Sequence, residues 1–194
     1  MTKIILATKS PYRKEAFGFL GFKFTTEGSK INEQFTGRPK EPRKLVKELA
    51  RLKAEVVAKN YKQGIVIGFD SVGYINGKVL EKPRSKKDAL KRLKLLSNKK
   101  HQFYTGIYMI NIDQKRILSR CVVTDIVLRK LTNQEMDKYL DQDPKFNTYA
   151  IGFDPWGYYS SSFATELKGS YNNYLRGIPL EVIVEMLFKI GYKI

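Results

Sequence analysis

Cysteine, histidine and tryptophan each occur once among the 194 residues, acidic side chains are scarce beside basic ones, and no apolar run is long enough to span a bilayer. A single cysteine, Cys121, excludes an internal disulfide, and its neighbours Val122 and Val123 suit an ordinary strand position with an inert thiol. Stretches such as Lys3 to Ala7 are far too short for a membrane span, and the N-terminal residues lack the long apolar region of a signal peptide. The expectation is a cytoplasmic protein with no membrane partner. Internal repeats and low-complexity linkers are also missing. With 42% hydrophobic residues the chain fills one core, or two small lobes sharing a cleft, so a single domain over residues 1–194 is expected.

Basic residues, by contrast, are abundant: 36 Lys and Arg against 19 Asp and Glu give a formal charge of +17, spread along the whole chain. Such a field favours an anionic partner, either a nucleic acid or a polyanionic small molecule steered into a cleft. Lysine outnumbers arginine 26 to 10, which argues against a base-reading nucleic-acid surface, because bidentate contacts to guanine most often use arginine. A lysine-rich solvated surface is the plain structural alternative.

The chain alternates short strands with helices. Lys3 to Ala7 reads as a buried strand delivering the chain to Ser10-Pro11, where a serine N-cap and a proline at the first helical position open a helix closed by Leu20-Gly21. Lys23 to Thr26 reads as a second strand, and Gly28 to Pro42 as a polar loop. From Glu41 to Asn60, Leu45, Leu49, Leu52 and Val56 recur at helical spacing and predict the buried stripe of a long helix. Ile65 to Asp70 reads as a buried strand ending in a carboxylate, followed by the Asn76-Gly77 signal of a tight hairpin over Tyr74 to Leu80. Ser85 with Asp88, and Thr132 with Glu135, mark the starts of two more helices. Between them Gln102 to Ile112 and Arg116 to Leu128 read as paired strands, and Leu180 to Ile190 as a closing amphipathic helix. The expected class is α/β: an elongated mixed sheet flanked by helices, in two lobes around a central cleft.

Three segments carry chemistry. At Thr8 to Arg13 a strand-to-helix turn gathers hydroxyls, a guanidinium and the positive end of a helix, which suits an anion, although a serine before a helical proline is commonly just a cap. At Gly68-Phe69-Asp70-Ser71 a hydrophobic strand meets an acidic residue; at such a place a carboxylate can hold a metal or activate water, or simply shape a turn. At Glu81-Lys82-Pro83 a compact ammonium suits a triphosphate.

In this order the segments resemble the Maf family, and the resemblance covers essentially the whole chain. It runs through Leu6 to Arg13, Leu49 to Ala54, Ile67 to Val72, Glu81-Lys82-Pro83, Leu96-Ser97 with His101, Tyr104-Thr105-Gly106, Gly169-Ser170-Tyr171 and Gly177 to Leu180. It implies hydrolysis of a nucleoside triphosphate between the α and β phosphates, assisted by a divalent metal such as Mg²⁺ or Mn²⁺. Asp70 matches the catalytic carboxylate and a metal ligand, and Glu33 an acidic loop residue associated with that metal. Ser10, Arg13, Lys53 and Lys82 match positions that embrace the phosphates. His101 matches a histidine to which the family gives no chemistry, so a structural role is expected. The resemblance also allows a homodimer.

Three positions depart from the pattern: the family's first arginine after the proline is Tyr12, its threonine after the aspartate is Ser71, and its glutamine after a Tyr-Ala-Ile stretch is Gly152. These positions are associated with base selection, so the reaction is expected to persist with an altered base preference. Tyr12 is suited to stacking on a base, and Phe153, Asp154 and Trp156 to further contacts, although the aromatic stretch to Tyr159 reads first as loop packing. Two rivals are an inosine or xanthosine triphosphate pyrophosphatase of related architecture and a non-catalytic nucleic-acid binder on the same fold. Asp70 and Glu33 would serve no purpose on the latter.

Overall fold

The computed structural model describes residues 2–193. In chain order its elements are β1 (Ile4–Ala7), α1 (Pro11–Gly18), β2 (Phe24–Thr26), α2 (Pro42–Ala58), β3 (Ile65–Ile75), β4 (Lys78–Leu80), α3 (Lys86–Leu96), β5 (Lys100–Asn111), β6 (Arg116–Leu128), α4 (Asn133–Gln142), β7 (Ala164–Lys168), α5 (Tyr171–Arg176) and α6 (Leu180–Lys189). The strands form a mixed seven-stranded sheet flanked by helices, ordered β2-β1-β3-β5-β6-β7, with β4 paired to β3. β1 is parallel to both β2 and β3, while β4 is antiparallel to β3 and β7 to β6. Among the described residues no helix is long and apolar enough to cross a membrane.

Local signals place most of these elements. Ser10 caps α1 by accepting from the Arg13 amide, Ser85 caps α3, and Thr132 with Glu135 forms a reciprocal box at α4. Asn76 and Gly77 both take positive φ, 49° and 76°, as a two-residue turn twisted to match its strands requires.

Contacts divide the chain into two compact units. The first comprises Met1–Ser71, Thr105–Val122 and Arg176–Ile194. Within it Ile65, Ile67 and Phe69 of β3 pack with Phe17 of α1 and with Ile183, Met186 and Leu187 of α6. The alternate residue Val66 packs with Ala54 and Val57 of α2, so α2 covers the other face. The second unit comprises Val72–Tyr104 and Val123–Leu175. Its core joins Leu93 and Leu96 of α3 and Met136 and Tyr139 of α4 with Phe153 and Phe163. The aromatic stretch is therefore mainly packing, as the ring pairs Tyr139–Phe153 and Tyr139–Phe163 illustrate, with Trp156 as its exposed member.

Two expectations are corrected. β3 does not end at Asp70: it runs on to Ile75, and its last residues, Gly73 to Ile75, pair with β4 across the Asn-Gly turn. What ends there is β1, whose last residue, Ala7, pairs with Gly68, so Asp70 lies two residues beyond the last β1 partner. The buried face of α2 is also only partly the leucine stripe: Leu45 and Leu49 are buried as expected, but the face is turned away from Leu52 and Val56. It comprises Leu45, Val46, Leu49, Ala50, Ala54 and Val57, turned by roughly 80° from the predicted stripe at about 100° per residue, while Leu52 and Val56 are half-buried. The cause lies in the sheet. Gly68 and Gly106 offer no side chains, and a Cβ on either would stand 2.1 Å from a carbonyl oxygen of α2, at Ala50 and Val46 respectively. The helix settles its small residues onto these glycines, and Lys53 falls near the middle of the buried face. β7 and α5 had no counterpart in the sequence reading.

Candidate functional site

Beyond the end of β1 the first unit gathers charged groups around Asp70. Lys53, carried inward by the rotation of α2, donates from Nζ to Asp70 Oδ1 at 2.6 Å and pairs with Glu33 Oε1 at 2.8 Å. The Lys53 and Asp70 side chains are only 13% and 10% exposed, whereas Glu33, in the loop before α2, is half-exposed. Two carboxylates thus converge on one ammonium.

On the opposite face of β3, Arg13 reaches the same strand end. Its Nε donates to the Gly177 carbonyl at 3.0 Å and its Nη2 to Ser71 Oγ at 2.7 Å, with the Phe69 ring 5.6 Å from the guanidinium. Ser71 Oγ is also 2.7 Å from the fully buried Thr105 Oγ1. Thr105 and Gly177 hold Arg13 in place and were not picked out for any role from the sequence, although both lie in quoted motifs. Gly177 takes φ +62°, and a Cβ there would stand 3.0 Å from Ser71 Oγ, so a bare glycine suits this turn. Ser10 serves as the cap of α1, and Tyr12, half-buried beside it, has the Arg176 guanidinium over its ring at 5.9 Å.

Burial raises the Asp70 pKa above its ordinary 3.8, against the pull of Lys53 and Arg13, and Glu33 adds to the rise. Burial likewise lowers Arg13, opposed by Asp70 and Glu33. A carboxyl raised in the fold contributes stability that is fully present below its unfolded value and is lost as pH rises through its folded value. Asp70→Asn is therefore expected to raise Tm at pH 7 in metal-free buffer, with the gain shrinking towards pH 4. A scanning-fluorimetry series in which the variant gains nothing at neutral pH counts against this balance.

Lys82 and Gly152 lie in the second unit, where Lys82 is exposed. An added Cβ on Gly152, which has φ +85°, would sit 3.5 Å from Pro83 and 3.2 Å from Arg92. Arg92 Nη1 donates to the Glu81 carbonyl at 2.9 Å and the Ala150 carbonyl at 3.1 Å, tying the segment before Lys82 to the loop of Gly152. Arg92 is a further positioning residue that its lysine-rich helix did not reveal.

The lone histidine and cysteine stand apart from this chemistry. His101 is buried in the second unit, where desolvation holds its pKa down at about 4. Burial pushes the Cys121 thiol up to about 11, which suits an inert thiol.

The family model described as Maf-like protein matches residues 3–190. The dTTP/UTP pyrophosphatase of Carboxydothermus hydrogenoformans is 34% identical over 191 residues, covering 98% of this chain and 100% of that protein. The dTTP/UTP pyrophosphatase of Elusimicrobium minutum is also 34% identical, over 194 residues, with 98% and 100% covered. Among solved structures, the Staphylococcus aureus Ham1 protein aligns over 96% of this chain and 98% of its own at a TM-score of 0.54 and 15% identity, a likeness of fold.

Proposed function

The chain belongs to the Maf-like protein family, and on that premise we propose that it hydrolyses a nucleoside triphosphate between the α and β phosphates, releasing the monophosphate and pyrophosphate. The observation that carries the reading is the Lys53-bridged pair of Asp70 and Glu33 beside Arg13, just past the end of β1. The C-terminal ends of strands in open α/β sheets border ligand sites, and a triphosphate there meets cations on both faces of β3.

In this reading Asp70 accepts a proton from the attacking water, and its raised pKa makes it a stronger base than an ordinary carboxylate. Lys53 orients that carboxylate through its 2.6 Å hydrogen bond. Arg13, held by Gly177 and Ser71, offers positive charge to the phosphate oxygens, and its fixed setting reduces reorganisation during the reaction. Ser10, through the start of α1, adds the positive end of a helix. Lys82 is assigned phosphate binding, and Tyr12, Ser71 and Gly152 base selection, from the family pattern. Residues 1–194 act as one Maf-like domain.

The donor set fits a divalent cation. Asp70 and Glu33 present hard oxygens that already share one cationic partner, and Mg²⁺ is commonly held by one or two carboxylates with substrate phosphates and water. Asp70 and Glu33 would supply two of the ligands, with substrate phosphates and water completing the shell. Bound there, Mg²⁺ or Mn²⁺ would neutralise charge on the phosphate oxygens.

The substrate class follows the relatives, which are named as dTTP/UTP pyrophosphatases, so thymine and uracil nucleotides are the proposed substrates. The test is a panel of dTTP, UTP, CTP, GTP, ITP and XTP with and without Mg²⁺, read as pyrophosphate and monophosphate. Metal-dependent pyrophosphate from dTTP and UTP is expected. Orthophosphate in its place overturns the bond assignment, and preference for ITP and XTP favours the purine-clearing rival.

A further inference from the structure

We propose that the cavity bounded by α2, residues 35–39 and strands β5 and β6 is a second ligand site, separate from the Asp70 centre. It takes a phosphomonoester with a flat apolar body, the chemistry of a nucleoside monophosphate. The site goes beyond the pyrophosphatase reading and does not depend on it.

The cavity holds about 390 Å³, within the range of small-molecule sites, and all its walls belong to the first unit. One wall is a face of α2 carrying Lys44, Lys47 and Arg51. The others include the half-buried rings of Phe35, two residues after Glu33, and of Tyr108 on β5. At about 100° per residue, Lys44 and Arg51 lie nearly opposite Lys53 on the helix. A molecule held here therefore does not compete for the carboxylates that Lys53 bridges.

The cations of this wall differ in what they hold. Arg51 pairs with Glu48 at 2.6 Å and with Glu55 at 2.7 Å, so its charge is already answered. Lys44 and Lys47 have no carboxylate within ion-pair distance among the described residues. Three positions apart on a helix, the two ammoniums are neighbours, and like charges so placed repel. An anion shared between them removes that repulsion. A phosphomonoester carries close to two negative charges at neutral pH and matches two ammoniums, where a carboxylate offers one charge. The rings of Phe35 and Tyr108, with Pro39, supply apolar surface for the rest of the ligand, and aromatic walls suit a flat heterocycle.

The test is lysine footprinting by acetylation in metal-free buffer, read by peptide mass spectrometry, with UMP, uridine and inorganic phosphate as probes. UMP at ten times its Kd is expected to slow acetylation of Lys44 and Lys47 by about tenfold, and to leave the exposed Lys59, outside the cavity on the same helix, unchanged. Uridine, which lacks the dianion, protects neither. Inorganic phosphate needs about tenfold more for the same protection, because it gains nothing from the rings. In Lys47→Gln, a change at an exposed position, the UMP concentration that half-protects Lys44 is expected to rise about tenfold. Protection of Lys53 with none at Lys44 and Lys47 would put UMP at the Asp70 centre alone and overturn the second site. Equal half-protecting concentrations for phosphate and UMP would overturn the nucleotide class, and an unchanged value in Lys47→Gln would overturn the lysine clamp. None of these readouts uses pyrophosphate release, so they stand or fall apart from the substrate panel.

Discussion

Replacing Asp70 with asparagine is expected to lower kcat/KM for pyrophosphate release by about 10³-fold, within the roughly 10²–10⁴ that a positioned general base contributes, or about 4 kcal/mol of barrier. Asparagine keeps the shape and an oxygen able to accept from Lys53, so the loss isolates the missing base and charge. The pH profile carries the same signature. Burial raises the Asp70 pKa above the ordinary carboxylate value of 3.8 and a bound cation opposes that rise, so the acid limb of the wild-type kcat/KM profile is expected to move up as Mg²⁺ is lowered, and the variant's residual rate lacks that limb. Activity and stability are expected to move in opposite directions here, since the substitution expected to remove the general base is also the one expected to raise Tm at neutral pH in metal-free buffer. Retention of more than about a tenth of wild-type activity by a folded Asp70→Asn would remove Asp70 from the chemistry.

Gly68→Ala and Gly106→Ala are each expected to destabilise the fold by about 3 kcal/mol, the upper part of the usual range for overpacking. The atoms in the way are backbone. At Gly68 the new methyl would stand 2.1 Å from the Ala50 carbonyl oxygen and 2.8 Å from the Ala54 nitrogen, and at Gly106 it would stand 2.1 Å from the Val46 oxygen. No rotamer change relieves such a contact, so α2 must lift from the sheet and take Lys53 with it. Catalytic loss should accompany the loss of stability. Urea denaturation measures the first and pyrophosphate release the second; an unchanged midpoint in both variants would show that the helix does not sit where the glycines allow. Gly18 provides the contrast, because nothing lies within 4 Å of its added Cβ, and alanine there should be tolerated.

These glycines mark the limit of what could be read beforehand. The leucine stripe of α2 was a sound reading of side-chain size, yet Leu52 and Val56 are only half-buried while Ala50 and Ala54 face the sheet. Hydrophobic periodicity ranks the faces of an isolated helix, and the partner surface chooses among them by shape. β7 was missed because four of its five residues are exposed and it lacks the alternation of a half-buried strand. The sequence marks Asp70 as a candidate on the right strand but ends that strand there, whereas β3 runs on to Ile75.

What the amino-acid sequence determined by itself is the set of features whose partners lie within a few residues: the caps at Ser10, Ser85 and Thr132 and the Asn76-Gly77 turn. Their energies depend on neighbouring backbone and side chains, so a short window contains the whole interaction. Only the tertiary structure decided that Lys53 bridges Asp70 and Glu33, that Thr105 and Gly177 hold Arg13 through Ser71 and the backbone, and that Arg176 lies over Tyr12. Those contacts join residues 17 to 164 positions apart, and they form where packing of α2 on two bare glycines and the early end of β1 bring the groups within bonding distance.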